Sequence, residues 1–300
     1  MLPKSIRLSS IAIYSATFVL GVLSLIYPFI SSAIVQSTPT GEVGFGHTPL
    51  MLTVLLSLSL VVLIYEVQGQ VNTKVIALLG VLIAINASLR FIEVGIPGPG
   101  GFSPIFLLII LAGYLYGGRF GFLLGTLTML VSALVTGGVG PWLPSQMFAA
   151  GWVGMSAPLL RPFVRRTSSY SNSKNQSNRI ELLALISFGF FWGFLYGVIM
   201  NLWSWPYFID PAGQYGSQGI STIEFISRYA SYYFLSSFIW DLSRAFGTAL
   251  LLFIFGIPLL SVLRRFLHKL TFQHDQTNLQ EHQFQAAIET ALKDSIHIPQ

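Results

Sequence analysis

The apolar positions of this chain gather into runs near 10–34, 48–67, 75–94, 103–117, 120–137, 144–163, 182–203 and 229–263. Most approach the roughly 20 residues that an α-helix needs to cross a bilayer. Helix breakers stand between the runs: Thr38-Pro39-Thr40-Gly41, Pro97-Gly98-Pro99-Gly100-Gly101, Gly117-Gly118, Gly137-Gly138 with Gly140-Pro141, and Pro211 to Gly219. The pattern predicts an all-α integral membrane protein of about eight transmembrane helices. The last run, about 35 residues, suits neither one upright crossing nor two with a turn. Charge placement decides it. With the N-terminus inside, eight spans leave Lys4, Arg7, Lys74, Arg119, Arg161, Arg165, Arg166, Lys174, Arg179, Arg264, Arg265, Lys269 and Lys293 on the cytoplasmic side and Arg228 in an outer loop. One long, tilted final helix, bent at Pro258, keeps that partition, and both termini are then cytoplasmic.

Composition narrows the class. Of 300 residues, 53% are hydrophobic and 9% charged, with a mean hydropathy of +0.68. A soluble domain carries about 25% charged residues. The chain has no cysteine, which excludes disulfides, thiolate metal sites, cysteine nucleophiles and iron-sulfur clusters. Its net charge of +5 is spread between apolar runs and reads as membrane topology, with no nucleic-acid partner. The first run follows Lys4 and Arg7 and ends near Ser31-Ser32-Ala33, as a signal peptide would, but it exceeds the roughly 7–15 residues of a signal core. The organisation expected is two N-terminal helices in 1–74, a six-helix core in 75–267 and a polar cytoplasmic tail in 268–300. The tail reads as solvated; the alternative is a short amphipathic helix from Asn278 to Leu292.

Candidate chemistry lies in the core. Arg90 and Glu93 close the third run, and Asp241 and Arg244 stand inside the eighth. A charge at the bilayer centre costs roughly 2.5–3.5 kcal/mol, so each side chain should face protein or a water-filled cavity. Each pair is spaced i, i+3 and shares a helix face, so the pairs either neutralise themselves or cross over as Arg90 with Asp241 and Glu93 with Arg244. They serve as an ion-pair clamp or as ligand contacts. Phe102, Trp142, Trp203, Trp205, Tyr207 and Phe208 fall on the outer side, as an interfacial belt or as the wall of a small-molecule pocket. Gln146 follows Trp142 by one helical turn, and Asn201 lies late in the seventh run. Gly80, Ala84 and Ser88 recur every four residues, as do Gly121 and Gly125, for internal packing or for a partner protein.

The block Ala77 to Leu160 contains Gly113-Tyr114-Leu115-Tyr116-Gly117, Thr136-Gly137-Gly138-Val139-Gly140-Pro141-Trp142-Leu143-Pro144 and Gln146-Met147. Together with Trp240-Asp241-Leu242-Ser243-Arg244, it resembles the substrate-binding S component of energy-coupling factor (ECF) vitamin transporters, especially a branch handling cobalamin-type compounds. The resemblance covers roughly 75–265. It implies a plasma-membrane subunit that captures a vitamin at the outer face and docks a transmembrane coupling subunit, with two cytoplasmic ATPases supplying energy. The binding set it suggests is Arg90, Glu93, Phe102, Trp142, Gln146, Asn201, Trp203, Asp241 and Arg244. The docking stripe maps onto Gly80, Ala84 and Ser88, where the family has alanines, and the two leading helices add to its six-helix plan. No G-x-x-x-x-G-K-[ST] or H-E-x-x-H run is present, so neither a P-loop ATPase nor a zinc hydrolase is expected, and no cofactor or metal. The rival transport reading is an ion-coupled secondary transporter with Glu93 and Asp241 as proton carriers.

Overall fold

The computed structural model of the protein describes residues 15–16, 18–26, 54, 58, 61, 73–95, 102–140, 142–168, 174–209 and 222–296. All of its regular structure there is helical. The helices are α1 (Thr73–Gly95), α2 (Ile105–Tyr116), α3 (Gly118–Thr136), α4 (Leu143–Ser156), α5 (Leu160–Ser168), α6 (Lys174–Ile209), α7 (Thr222–Ser236) and α8 (Phe238–Ile296), with a 3-10 turn at Ala157–Leu159 between α4 and α5. Four stretches are long and apolar enough to cross a membrane: Lys74–Phe91, Gly118–Thr136, Asn175–Trp205 and Phe238–Leu267. The expected count of eight is therefore not reproduced among the described residues. α2 is apolar but has 12 residues, about 18 Å of helix against a core of about 30 Å. Ser31 to Ala33, where the rejected signal-peptide reading would cleave, and most of the second run lie outside the described residues, as do the Pro97-to-Gly101 and Pro211-to-Gly219 stretches.

α2 is the axis of the bundle. Ile105, Ile109, Ile110, Leu111 and Ala112 are wholly buried. Asn86 of α1 donates through Nδ2 to Ile105 O at 3.1 Å and to Thr128 Oγ1 of α3 at 3.3 Å, tying three helices together. Gly117, at φ 108°, is the single residue between α2 and α3, a reversal that only glycine makes without strain.

Since lipid tails are as apolar as leucine, helices in a membrane associate through close packing, and small residues set how close. α3 and α4 cross that way. A methyl group added to Gly121 would strike the Gly154 backbone, and one on Gly125 would strike the backbone at Ala150 and Gly151. The Gly121/Gly125 spacing thus serves internal packing. α6 and α8 run antiparallel on a second stripe, Gly189, Gly193 and Gly197, set against Leu252 and Thr248, then Ala245, then Asp241.

The last apolar run departs from expectation at both ends. It is interrupted at Ser237, so residues 229–236 belong to α7 and the continuous helix starts at Phe238. Bonds from Ser237 N to Tyr233 O and from Asp241 N to Ser237 O, each 3.0 Å, carry helical bonding across the interruption without a loop. At the other end α8 continues past Pro258 and through the expected tail to Ile296, so the backbone there is helical. The helical stretch 18–26 seats on α4: Phe18 and Trp152 lie 5.7 Å apart between ring centroids, and Gly21 meets the Trp152 ring.

Candidate functional site

Antiparallel packing sorts the polar residues into two groups at opposite ends of the bundle. At the first, Glu181 of α6 accepts from the Tyr114 hydroxyl of α2 at 2.8 Å and pairs with Arg264 of α8. Tyr116 OH donates to Leu263 O at 2.8 Å. Arg161 of α5 donates to Tyr114 O at 2.5 Å and Leu115 O at 2.7 Å, closing the carbonyl end of α2. Arg165, Arg166 and Arg264 make this the basic end. The cluster locks α2, α5, α6 and α8 together, and Tyr114 and Glu181 fell inside or beside apolar runs where periodicity gave no sign of a pairing.

The opposite end holds the two i, i+3 pairs. Arg90 Nη1 stands 3.5 Å from Glu93 Oε1. Ser103 Oγ, ahead of α2, donates to Glu93 Oε2 at 2.8 Å. Arg244 pairs with Asp241 on its own helix. Of the two arrangements open to these charges, the intrahelical one is formed, and Arg90 with Asp241 makes no direct bridge. The two helices nevertheless bring the pairs to one place, because Glu93 lies within electrostatic range of Arg90 and of Arg244. Between them sits Tyr196 of α6. The Arg244 guanidinium carbon lies 5.4 Å from its ring centroid, and Phe106 of α2 meets it edge-on at 5.0 Å. Such a cation over an aromatic face is attracted to the ring quadrupole, the more so when both are dry.

Asp241 is 2% exposed, set over Gly197 so closely that a methyl group there would occupy the carboxylate's place. Its Oδ2 faces the hydroxyl of Tyr233, and the two act as hydrogen-bond partners, though short of ideal geometry.

The aromatic residues divide. Phe102 packs on Gly247, one turn beyond Arg244, and so joins the charged centre. Trp203 and Trp205 are buried, and Trp205 lies tilted on Tyr229 at 4.8 Å and stacked with Tyr232 at 6.3 Å between centroids. Asn201 Oδ1 accepts from Ser237 Oγ at 2.7 Å, which ties α6 to the interruption between α7 and α8. Trp142 is 42% exposed and folds over its own loop, its Nε1 donating to Gly138 O at 3.2 Å and its ring against Gly140. α4 does begin at Leu143, and Gln146 N bonds Trp142 O at 3.0 Å, so the two share a turn as expected. Tyr207 and Phe208 have side chains outside the described residues. Ser103, Tyr196 and Tyr233 escaped the sequence reading; the Gly189-Gly193-Gly197 spacing was the signal that α6 approaches the charged helix.

Gly80, Ala84 and Ser88 lie on an exposed face of α1, with Ser88 Oγ returned to Ala84 O at 2.9 Å and nothing within 4 Å of a methyl placed on Gly80. The helical stretch 18–26 packs on α4 and leaves this face open. Among the described residues no group of three or more His, Asp or Glu is placed to hold a metal ion.

A family model described as "ECF transporter, substrate-specific component" matches residues 74–256. That stretch contains both ion pairs, Tyr196 and the α1 face. No curated protein and no solved structure matches the chain.

Proposed function

Because the chain belongs to the substrate-specific component family of ECF transporters, a membrane transporter subunit and not an enzyme, we propose that the centre around Tyr196 is its substrate site. The observation that carries the proposal is the convergence of two ion pairs from α1 and α8 on one buried tyrosine. Both pairs close within their own helices and so clamp no two helices together, and a charge kept in a bilayer is costly, which favours a ligand role over a clamp. The substrate class that suits them is a vitamin-type micronutrient with a planar ring for Tyr196 and Phe106 and polar groups for Arg244 and Asp241. The resemblance points to cobalamin-type compounds. Trp142 and Gln146 would act as the rim.

By the positive-inside rule the basic end faces the cytoplasm, which opens the Tyr196 centre outward and puts both termini inside. The exposed Gly80/Ala84/Ser88 face then docks the transmembrane coupling subunit, to which two ATPases are attached. The test is mass spectrometry of the small molecules that co-purify with the protein, followed by titration of the molecule found. Tyr196→Ala and Asp241→Asn should each weaken binding at least tenfold. Unchanged affinity in both would move the site elsewhere.

A further inference from the structure

The amphipathic helix α5 is used by neither the substrate centre nor the α1 docking face. It follows α4 through the 3-10 turn and lies at the basic end. A cavity of about 540 Å³ opens on it, lined by Pro158, Arg161, Pro162, Arg165 and Arg166. Three guanidinium groups line this space among the described residues. Helical spacing explains the gathering: Arg161 and Arg165 are one turn apart, as are Pro162 and Arg166. Arg161 is held in place by its bonds to Tyr114 O and Leu115 O, so it enters the site already ordered. Along the adjoining edge, Leu159 and Phe163, again one turn apart, are 76% and 60% exposed, whereas Val164 faces the core. Basic face, exposed apolar edge and buried face therefore lie in order around a helix at the end of the membrane-crossing bundle.

We propose that this face binds an anionic phospholipid, its phosphate in the arginine cavity and its acyl chains along Leu159 and Phe163. An arginine fork bonds two phosphate oxygens at once, and the neighbouring apolar edge supplies what a free anion would not need. Zwitterionic lipid carries the same phosphate with its charge cancelled, so the site discriminates by net charge. The proposal is independent of the substrate reading, since it concerns the opposite end of the bundle.

The test uses the full chain, stripped of lipid in neutral detergent, and native mass spectrometry with phosphatidylglycerol or phosphatidylcholine added. Phosphatidylglycerol should be retained and phosphatidylcholine lost. Each arginine near an anionic lipid surface contributes about fivefold, so the double variant Arg165→Gln/Arg166→Gln should weaken phosphatidylglycerol binding about thirtyfold. Should that variant fold poorly by thermal melt, Arg166→Gln alone should show the fivefold loss. Equal retention of the two lipids, or undiminished phosphatidylglycerol binding in folded variants, would overturn the proposal. Inorganic phosphate displacing the lipid at equal affinity would make this a free-anion site instead. Variants that keep the lipid but lose the coupling subunit and ATPases in a pull-down would make it a protein interface.

Discussion

At Asp241 a carboxylate, a glycine and a tyrosine depend on one another. Gly197 leaves the space that the carboxylate fills, and the Tyr233 hydroxyl faces its Oδ2. Gly197→Ala should push the carboxylate off its position, costing about 1–3 kcal/mol of stability through overpacking, and should lower substrate affinity along with it. Thermal melts beside a binding titration measure both. Arg244→Gln alone leaves the buried Asp241 without its counter-ion and should lower the melting temperature, while Arg244→Gln with Asp241→Asn should recover stability but not affinity. Recovery of both would assign the pair to helix structure alone. The candidate site was half legible at this scale. Arg90, Glu93, Asp241 and Arg244 stand out in any apolar run because charge there is costly, whereas Tyr196 and Tyr233 look like ordinary aromatic residues of a membrane helix. Chemistry separates the first group from its surroundings; contact with that group alone distinguishes the second.

Among elements, two small-residue stripes of the same spacing have opposite fates. Gly121 and Gly125 of α3 press on the backbone of α4, while Gly80 and Ala84 of α1 face outward. Gly121→Leu should therefore unfold or strongly destabilise the protein even in isolation, which a thermal melt in detergent reads directly. Ala84→Trp should leave the melt and substrate affinity nearly unchanged but reduce co-purification of the coupling subunit. Equal damage from both substitutions would mean that α1 docks inside this chain. Spacing predicts that a helix can be approached closely, yet it carries no information about which neighbour approaches. The interruption at Ser237 was equally hidden, because the run 229–263 has no glycine or proline near that point. Ser237 instead spends its hydroxyl on Asn201 across the interface.

At the scale of the whole molecule, the chain belongs to a family of substrate-capture subunits of ECF importers. Expressed alone it should bind substrate and give no net uptake, and uptake should become ATP-dependent once the coupling subunit and ATPases are added. Reconstitution into liposomes with and without ATP is the measurement. Uptake by the single chain under a proton gradient would instead support Glu93 and Asp241 as proton carriers. The two ends of the bundle suit the first outcome. Glu181, Arg264, Tyr114 and Arg161 lock the basic end with hydrogen bonds among four helices, while the ion pairs at the Tyr196 end close within their own helices and leave the helices there untied to one another by charge.

The sequence by itself determined that the chain is helical and lives in a membrane, because apolar runs and scarce charge are properties of residues one at a time and of their nearest neighbours. It also marked four charges as expensive, and its family motifs lie in the matched stretch 74–256. Tertiary structure alone decided that the pairs close within their own helices, that Tyr196 stands between them, that Trp142 stays with its loop, and which glycine stripe is covered. Each of these depends on how helices distant in sequence approach one another, and that approach is set by van der Waals contact at small residues rather than by hydropathy.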